Sequence, residues 1–247
     1  MPASRVITAV YAHPDDETFS GGGTYAKYSA AGARLTLYCA TDGDAGKTSS
    51  LGPMSREALG KARRAELGVA ADVLGFAFVE SAGHPDGALG AVDQQLLIGE
   101  IVHHFRRQRP HVVITFGPEG APNTHPDHRV ISRATTAAFF LAANASMFTD
   151  QLSDGLTTHA PARLYYVAWP LPEPHAVLKT VSVTATTRID VRNHRAQELA
   201  AWKAHVSQQA LQQRFDETAA TDDEYFALAA GVAQPDALTT DFFAGLP

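Results

Sequence analysis

Short apolar runs alternate with helical patterns along the first part of the chain. Four runs are rich in β-branched and aromatic residues and have the length of buried strands; they lie at residues 6–11, 34–40, 76–79 and 111–116. Apolar positions recur at helical spacing in the segments between and after them, at about 21–31, 55–74, 91–108 and 127–143. Strands that alternate with helices predict a parallel sheet with helices on both faces.

The remainder of the chain is less regular. Residues 163–169 and 180–189 are typical of further strands, and the segment after about residue 211 has a mostly helical pattern. No linker divides the chain, so we expect a single domain over 1–247, with a core at about 5–210 and a helical C-terminal extension at about 211–247. The predicted fold is α/β, a Rossmann-like, doubly wound, mostly parallel sheet with a mixed C-terminal extension.

Composition is that of an ordinary globular protein. Of 247 residues, 45% are hydrophobic and 19% are charged, which is enough apolar content for a substantial core. The 20 Lys and Arg residues against 26 Asp and Glu residues give a net charge of −6. Without a basic run, such a chain is a poor candidate for binding nucleic acid or an anionic membrane. It shows neither a membrane-spanning apolar run nor a secretory signal pattern, so we expect a cytoplasmic protein.

Histidine is abundant and cysteine is nearly absent. The chain has 11 His residues and one Cys. A single cysteine forms no intrachain disulfide and supplies no thiolate-rich zinc site. A metal bound by this chain must therefore be held by imidazoles and carboxylates.

Polar and acidic segments follow the predicted strands at the edge where parallel sheets bind ligands. His13-Pro14-Asp15-Asp16-Glu17 follows the first strand, Thr41-Asp42-Gly43-Asp44 follows the second, and His125-Pro126-Asp127-His128 comes shortly after the fourth. Since the carboxyl ends of parallel strands meet at one edge, we expect these three segments to lie on one rim of the sheet.

The first of these segments places two adjacent carboxylates beside a histidine. A turn and a helix cap explain part of the segment. They do not explain the cluster, because neighbouring carboxylates at the exit of a buried strand repel each other unless a positive group lies among them. A divalent cation would remove the conflict. His13 and Asp16 are then candidate ligands, and Asp15 is left for acid–base chemistry.

The third segment offers a further ligand. His125 and His128 are three residues apart at the start of a predicted helix, where both can face the same rim. One of them, joined to His13 and Asp16, completes a site of two His and one carboxylate with an open position for water. That pattern is typical of catalytic rather than structural zinc.

Several short segments occur in the order of one enzyme family, between about residues 5 and 210. They are AHPDDE at 12–17, GGT at 22–24, TDGDAG at 41–46, Arg63 with Glu66, DG at 86–87, HPDH at 125–128 and WKAHVSQ at 202–208. With them the chain resembles the PIG-L/LmbE-like family of zinc-dependent N-acetylglucosaminyl deacetylases, which includes the mycothiol and bacillithiol biosynthetic deacetylases. AHPDDE followed by HPDH is the specific part of the resemblance.

The resemblance implies a metal site and a set of catalytic groups. His13, Asp16 and His128 would bind Zn²⁺, although the same ligands also accept Fe²⁺, Mn²⁺ or Co²⁺. Asp15 would be the general base that takes a proton from the attacking water.

The resemblance also implies a role for the start of the fourth predicted helix. His125, as imidazolium, would stabilise the oxyanion and protonate the departing amine. Asp127 would orient His125 and raise its pKa, as carboxylate–imidazole pairs do.

Arg63 lies on the inward apolar stripe of the predicted 55–74 helix, whereas Arg64 points the other way. An inward arginine is rarely buried without a partner, and Glu66 is available three residues further on. A structural Arg–Glu pair is therefore one interpretation. The other, implied by the resemblance, is an arginine that binds hydroxyl groups of the substrate.

Other candidate motifs favour structural interpretations. Gly21, Gly23 and Ala26 match a loose dinucleotide fingerprint but lie ten residues after the first strand, so no nucleotide cofactor is expected. His84-Pro85-Asp86 has no ligand at the required spacing and is typical of a turn. Asp42 and Asp44 are interpreted as loop structure, and His205 could reach the rim only behind the ligands.

The expected activity is hydrolysis of the N-acetyl group of a GlcNAc-containing small molecule. One alternative is an Fe²⁺ oxygenase, since two His and one carboxylate also form that facial triad. Another is a sugar- or metal-binding module without catalysis. The additional Asp15 and His125 argue against both alternatives. The sequence is compatible with a homo-oligomer, and it leaves the group attached to GlcNAc open.

Overall fold

Seven strands form one sheet in the computed structural model of the chain, which describes residues 5–169 and 182–247. The strands are β1 (Val6–Tyr11), β2 (Arg34–Thr41), β3 (Phe76–His84), β4 (Val112–Thr115), β5 (Arg163–Ala168), β6 (Thr187–Asp190) and β7 (Asp223–Gly231). Their spatial order is β3-β2-β1-β4-β5-β7-β6. The first five are parallel, whereas β7 is antiparallel to β5 and β6. The chain winds outward from β1 in both directions, which confirms the predicted fold class.

The helices pack in two groups. They are α1 (Asp16–Ala30), α2 (Arg56–Leu74), α3 (Gln94–Gln108), α4 (Pro126–Leu141), α5 (Thr149–Ser153), α6 (Arg195–Ala204) and α7 (Gln212–Thr218). Helices α1, α2 and α6 contact one another, and α3 contacts α4. The chain runs from β1 to β3 in one direction, returns from β3 to β4 and continues to β5 in the other. Right-handed crossovers in opposite directions place the two groups of helices on opposite faces of the sheet. Within the described ranges, none of the helices is both long and apolar enough to cross a bilayer.

Local sequence explains where several elements begin and end. Every residue of β1 is buried, as its unbroken apolar run predicts for a central strand. Ser55 caps α2 by accepting a hydrogen bond from the Ala58 N–H, and Gly75 ends the helix at φ 84°, a conformation that favours glycine. Pro126 occupies the first turn of α4, where a missing N–H costs nothing.

Two predicted boundaries differ from the structure. Helix α1 begins at Asp16 instead of about 21, so the acidic pair belongs to the junction between β1 and the helix itself. Strand β3 continues to His84. The predicted strand over 180–189 is partly described, since its first two residues fall outside the described ranges; its end overlaps β6.

The prediction of helix after residue 211 holds for α7 and is wrong beyond it, since residues 219–247 contain no helix. After the short helix α7, the chain forms β7, which inserts between β5 and β6 and pairs with both. This part of the sequence contains alanines that favour a helix in isolation. Two neighbouring strands offer hydrogen-bonding partners on both sides, and this tertiary pairing outweighs local propensity.

Candidate active site

The carboxyl edge of the parallel strands surrounds a pocket of about 380 Å³. Six of the predicted site residues line it: His13, Asp15, Asp16, Arg63, His125 and His128. The remaining one, Asp127, is buried and lies against His13. The three polar segments predicted to share a rim therefore meet at one place, because β1, β2 and β4 are neighbours in the sheet.

The Asp16 carboxylate lies between two imidazoles. Its Oδ2 is 3.3 Å from His13 Nδ1, and its Oδ1 is 3.3 Å from His128 Nε2. Oδ2 also accepts the backbone N–H of His13 at 2.8 Å. Burial raises the pKa of Asp16, but His128 and His13 outweigh burial and hold it well below its usual range. The three predicted metal ligands thus meet around one carboxylate.

His128 is fixed by groups on the side away from Asp16. Its Nδ1 lies 3.3 Å from the Ala121 carbonyl oxygen, which is a hydrogen-bond acceptor. The Phe116 ring stacks on the imidazole, with centroids 3.9 Å apart and planes 7° apart. Donation from Nδ1 to the carbonyl leaves the Nε2 lone pair directed towards Asp16, which is the arrangement of a metal-ligating imidazole.

The donor atoms of the pocket fit a divalent transition-metal ion. One ligating atom from each of His13, His125 and His128 lies within 4.8 Å of the others. With the Asp16 oxygens they form a set of nitrogen and oxygen donors, which suits Zn²⁺, Fe²⁺, Mn²⁺ or Co²⁺. His125 is thus close enough to act either as a further ligand or as a proton donor beside the ion.

Asp15 lies at the start of α1, buried next to Arg63. Its Oδ2 is 3.2 Å from Arg63 Nη2. Burial raises the pKa of Asp15 to about 6, although Arg63 opposes the shift. A carboxylate with a pKa near neutrality can gain and lose a proton at the working pH, which is what a general base requires.

Arg63 is buried and directed into the pocket, as the helical stripe predicts. It donates to the Gly43 carbonyl at 2.8 Å and to the Pro14 carbonyl. A Cβ on Gly43 or Gly46 would lie 2.3 Å from Nη1, so both glycines are needed for the guanidinium to fit. Arg63 therefore spans the segments that follow β1 and β2.

Glu66 is not the partner of Arg63, so the interpretation as an Arg–Glu pair is wrong. Glu66 instead accepts hydrogen bonds from the backbone N–H of Ser207 at 2.8 Å and from its hydroxyl at 2.6 Å. Arg63 pairs with Asp15, which lies far away in sequence. A spacing of three along a helix makes a pair available, but the fold decides which partner is used.

The predicted pair of Asp127 and His125 is not formed either. Asp127 accepts the N–H of Gly87 at 2.7 Å and that of Leu89 at 3.1 Å. Its Oδ2 also lies 3.4 Å from His13 Nε2. The carboxylate points back towards the turn after β3, and it positions His13 instead of His125.

His125 is held through the backbone. Its Nδ1 accepts the N–H of Asp127 at 3.2 Å and thereby caps α4. Burial lowers the pKa of His125, and the neighbouring His13 and His128 lower it further. The pKa therefore moves in the opposite direction from the one expected with an Asp127 partner.

Asp86 lines the pocket, whereas the sequence around it predicts only a turn. Its Oδ1 lies 3.1 Å from His13 Nε2, and its Oδ2 accepts the Ala45 N–H at 3.0 Å. His84 of the same triplet points elsewhere and contacts Glu100 at 2.7 Å. The repetition of His-Pro-Asp, and the match of Asp86-Gly87 to the family order, were the signals available.

The family model described as "PIG-L: GlcNAc-PI de-N-acetylase" matches residues 8–139, more than half of the chain. The chain belongs to the PIG-L family. The matched range includes the whole cluster from His13 to His128.

Relatives of this PIG-L protein extend the match along the chain. One from Saccharomonospora viridis, named 1D-myo-inositol 2-acetamido-2-deoxy-alpha-D-glucopyranoside deacetylase, is 33% identical over 261 residues, covering 95% of this chain and 92% of the relative. A protein of the same name from Rhodococcus erythropolis is 32% identical and covers 99% of this chain and 98% of its own length. The family relationship therefore includes the C-terminal part that the family model leaves unmatched.

One solved structure shares the fold at low sequence identity. The N,N'-diacetylchitobiose deacetylase of Pyrococcus horikoshii has a TM-score of 0.73 and 19% identity, with 92% of this chain and 84% of that one covered. At this identity the likeness concerns the fold, and the reaction must be argued from the site and from the family.

The other motifs singled out in the sequence have structural roles in this PIG-L protein. The two glycines of the apparent dinucleotide fingerprint, Gly21 and Gly23, lie inside α1, where a Cβ on Gly21 would lie 3.1 Å from the Tyr25 ring and one on Gly23 would lie 2.7 Å from Val191. Close helix packing explains them. Asp42 accepts the Ser81 hydroxyl at 2.6 Å, as expected of a residue that orders the loop.

Proposed function

We propose that this protein is a metal-dependent hydrolase that removes the N-acetyl group of a GlcNAc-containing small molecule and releases acetate and a free amine. Its membership of the PIG-L family, together with named deacetylase relatives of nearly equal length, makes it a deacetylase. The observation that supports this most directly is the Asp15 carboxylate, buried in the pocket beside the cluster of His13, Asp16 and His128. A nucleophile-activating base and a metal-binding donor set thus face the same space.

His13, Asp16 and His128 are the proposed metal ligands. Asp86 and Asp127 both lie against Nε2 of His13, and such carboxylates favour a proton on that nitrogen. The Nδ1 of His13, which faces Asp16, is then free to ligate. We expect Zn²⁺, although the donors also accept Fe²⁺, Mn²⁺ or Co²⁺. When bound, the ion lowers the pKa of water and polarises the acetamide carbonyl.

Asp15 and His125 are the proposed proton acceptor and proton donor of the reaction. Asp15 accepts the proton that water loses as its oxygen bonds to the carbonyl carbon. The amide C–N bond breaks only when its nitrogen gains a proton, and we propose that His125, which lines the pocket, delivers it. Arg63, beside Asp15, keeps a positive charge at the wall of the pocket, where we expect it to bind hydroxyl groups of the sugar.

The size of the pocket and the names of the relatives together indicate the substrate. A space of about 380 Å³ accommodates an amino sugar with a small attached group. The relatives from S. viridis and R. erythropolis are named for an inositol glycoside of N-acetylglucosamine. We therefore propose an N-acetylglucosaminide of a small polyol as the substrate.

The two alternative functions are not favoured. An Fe²⁺ oxygenase has no use for a base such as Asp15 beside its facial triad, and the family is one of de-N-acetylases. A binding module without catalysis has no need for a carboxylate whose pKa is raised to about 6 next to metal donors.

The test is acetate release from a panel of N-acetylglucosaminides, including the inositol glycoside, by wild type and by Asp15→Asn. The amide keeps the size of the side chain but accepts no proton, so we expect kcat to fall by about 10² to 10⁴-fold while bound metal stays the same. Asp154→Asn, on an exposed residue at the end of α5, is the matched control. Absence of acetate release from every substrate by metal-loaded wild type would contradict the proposal.

A further inference from the structure

Asp15 adopts a backbone conformation that residues other than glycine rarely take. Its φ is 111° and its ψ is −26°. Such a conformation persists only where surrounding groups fix it, and strained residues of this kind are concentrated at functional sites. The side chain of Asp15 makes no capping hydrogen bond to α1, so its own carboxylate does not hold the backbone in place.

The side chain of Glu17 forms a hydrogen bond with the backbone of Asp15. Its Oε2 accepts the backbone N–H of Asp15 at 3.0 Å. Its Oε1 accepts the Thr18 hydroxyl at 2.6 Å and lies 2.7 Å from Nε2 of His205, a residue 188 positions away. Glu17 and His205 are both fully buried and neither lines the pocket. The contact to Asp15 is therefore made from behind the site.

His205 is fully buried and is anchored through its backbone. It follows α6, and its N–H donates to the Trp202 carbonyl at 3.0 Å. The Trp202 ring stacks on Phe215 with centroids 4.9 Å apart and meets the edge of Phe19 at 4.8 Å. Burial lowers the pKa of His205, but Glu17 outweighs burial and the pKa is raised. A buried carboxylate thus gains a fixed imidazole N–H as its partner.

Arg63 holds the same residue from the pocket side. It donates to the Pro14 carbonyl and contacts the Asp15 carboxylate. The peptide group between Pro14 and Asp15 is therefore hydrogen-bonded on both sides. Its oxygen accepts from Arg63, and its N–H donates to Glu17. These two contacts fix the direction in which the Asp15 side chain leaves the backbone.

We infer that Glu17 and His205 form a positioning pair that holds Asp15 in the orientation in which it acts as the base. This rests on the proposed function of Asp15. A shift of about 1 Å in a reacting group can cost about 10²-fold in rate. Loss of the pair should therefore lower kcat without changing the affinity for substrate or metal.

The chain offers a control in a second carboxylate–histidine pair, whose histidine is buried and whose glutamate side chain is 31% exposed. His104 is fully buried and its Nδ1 lies 2.7 Å from Oε2 of Glu80. Among the described residues, neither His104 nor Glu80 lines the pocket. A purely structural role predicts that the same substitution at His104 and at His205 lowers the melting temperature and leaves kcat alone.

The experiment compares His205→Asn, His205→Gln and His104→Asn in kcat, KM, metal content and melting temperature. Gln places an N–H near the position of Nε2, whereas Asn is too short to reach Glu17. We expect kcat to fall about 10- to 100-fold in His205→Asn, with KM and metal content unchanged, and to stay within about threefold of wild type in His205→Gln. We expect His104→Asn to lower the melting temperature and to leave kcat, KM and metal content unchanged.

A second measurement does not depend on activity. Hydrogen exchange at the Asp15 amide in metal-free protein should be at least about tenfold faster in His205→Asn than in wild type, and unchanged in His104→Asn. If no substrate yields acetate, the proposed function fails while this measurement still tests the pair.

Two results would overturn the inference: equal kcat in His205→Asn and His205→Gln, or wild-type exchange at Asp15 in His205→Asn. Should His205→Asn not fold, Glu17→Met takes its place. Its side chain keeps the length of Glu17 but offers no oxygen to the Asp15 N–H or to His205, so we expect at least about a fivefold loss of kcat at unchanged KM. An unchanged kcat in that variant contradicts the pair.

Discussion

Two buried clusters of charge lie along α1, and only one of them is a site. The first, the pocket cluster, surrounds the first turn of the helix and contains Asp15 and Asp16. The second, the Arg195 cluster, consists of Arg195, Glu198 and Glu224. Arg195 contacts Glu198, and its Nη1 lies 3.2 Å from Oε1 of Glu224. Both clusters place carboxylates out of water, which is unfavourable unless each finds partners.

The clusters differ in how their oxygens are used. Helix α1 has non-helical angles at Gly21, and Glu224 accepts the N–H groups of Gly23 and Thr24, each at 2.9 Å, at the start of the second helical part. In the Arg195 cluster these acceptors cap a helix, and the guanidinium has no lone pair for a metal. In the pocket cluster, imidazole nitrogens and carboxylate oxygens converge on an open cavity. Buried charge alone therefore does not identify a site; free donor atoms that face a cavity do.

The largest effect is expected at His125, in the pocket cluster. Because general acid catalysis typically contributes about 10² to 10⁴-fold, His125→Ala should lower kcat by about that factor and keep the metal. The measurement is acetate release together with metal content. His84→Ala, in the His-Pro-Asp triplet whose histidine contacts Glu100 outside the pocket, should leave kcat within about twofold. Loss of metal from His125→Ala would show instead that His125 is a ligand.

A smaller effect, on metal affinity, is expected at Asp86, which contacts the proposed ligand His13. Asp86→Asn removes one carboxylate from Nε2 of His13. Groups that orient a metal-binding histidine typically contribute about 10- to 100-fold in metal affinity, and we expect a loss in this range by competition with a chelator. Glu80→Gln, which alters the carboxylate beside His104, is the control. Unchanged metal affinity with a raised KM would place Asp86 on the substrate instead.

The smallest effect is expected in the Arg195 cluster and concerns stability. Burial raises the pKa of Glu198 to about 8, against 4.5 for the unperturbed group. Between these values the folded state holds a proton that the unfolded state releases, so stability falls as pH rises from about 4.5 to about 8.

Glu198→Gln removes this titration. We expect the melting temperature of the variant to exceed that of wild type by about 2 to 6 °C at pH 9 and to match it near pH 4. Acetate release should be unchanged, because Glu198 does not line the pocket. Glu217→Gln on α7 is the control. A lower melting temperature at pH 9 would contradict the raised pKa.

The elements and motifs that depend on neighbouring residues could be predicted from the sequence. The apolar run of β1 and the capped start of α4 follow local rules, and they bring His13 and His125 to one edge of the sheet. The contacts that were missed join distant segments. Asp86 reaches His13 only because β3 lies two strands away from β1 with its carboxyl end on the same side.

The partners of Arg63 and Asp127 also could not be predicted from the residues next to them in the sequence. Arg63 pairs with Asp15 and not with Glu66, its neighbour in sequence, and Glu66 binds Ser207 in the turn that follows α6. The Asp127 carboxylate does not contact the His125 ring, because it accepts hydrogen bonds from two backbone N–H groups that follow β3. Each choice depends on which unsatisfied group the fold brings close.

The position of β7 has a consequence for synthesis. Although it follows β6 in the chain, it lies between β5 and β6. Until residue 231 has left the ribosome, β5 has an open edge with unpaired N–H and C=O groups, and such an edge recruits strands from other chains. The nascent protein is therefore expected to need protection from aggregation until β7 has been translated.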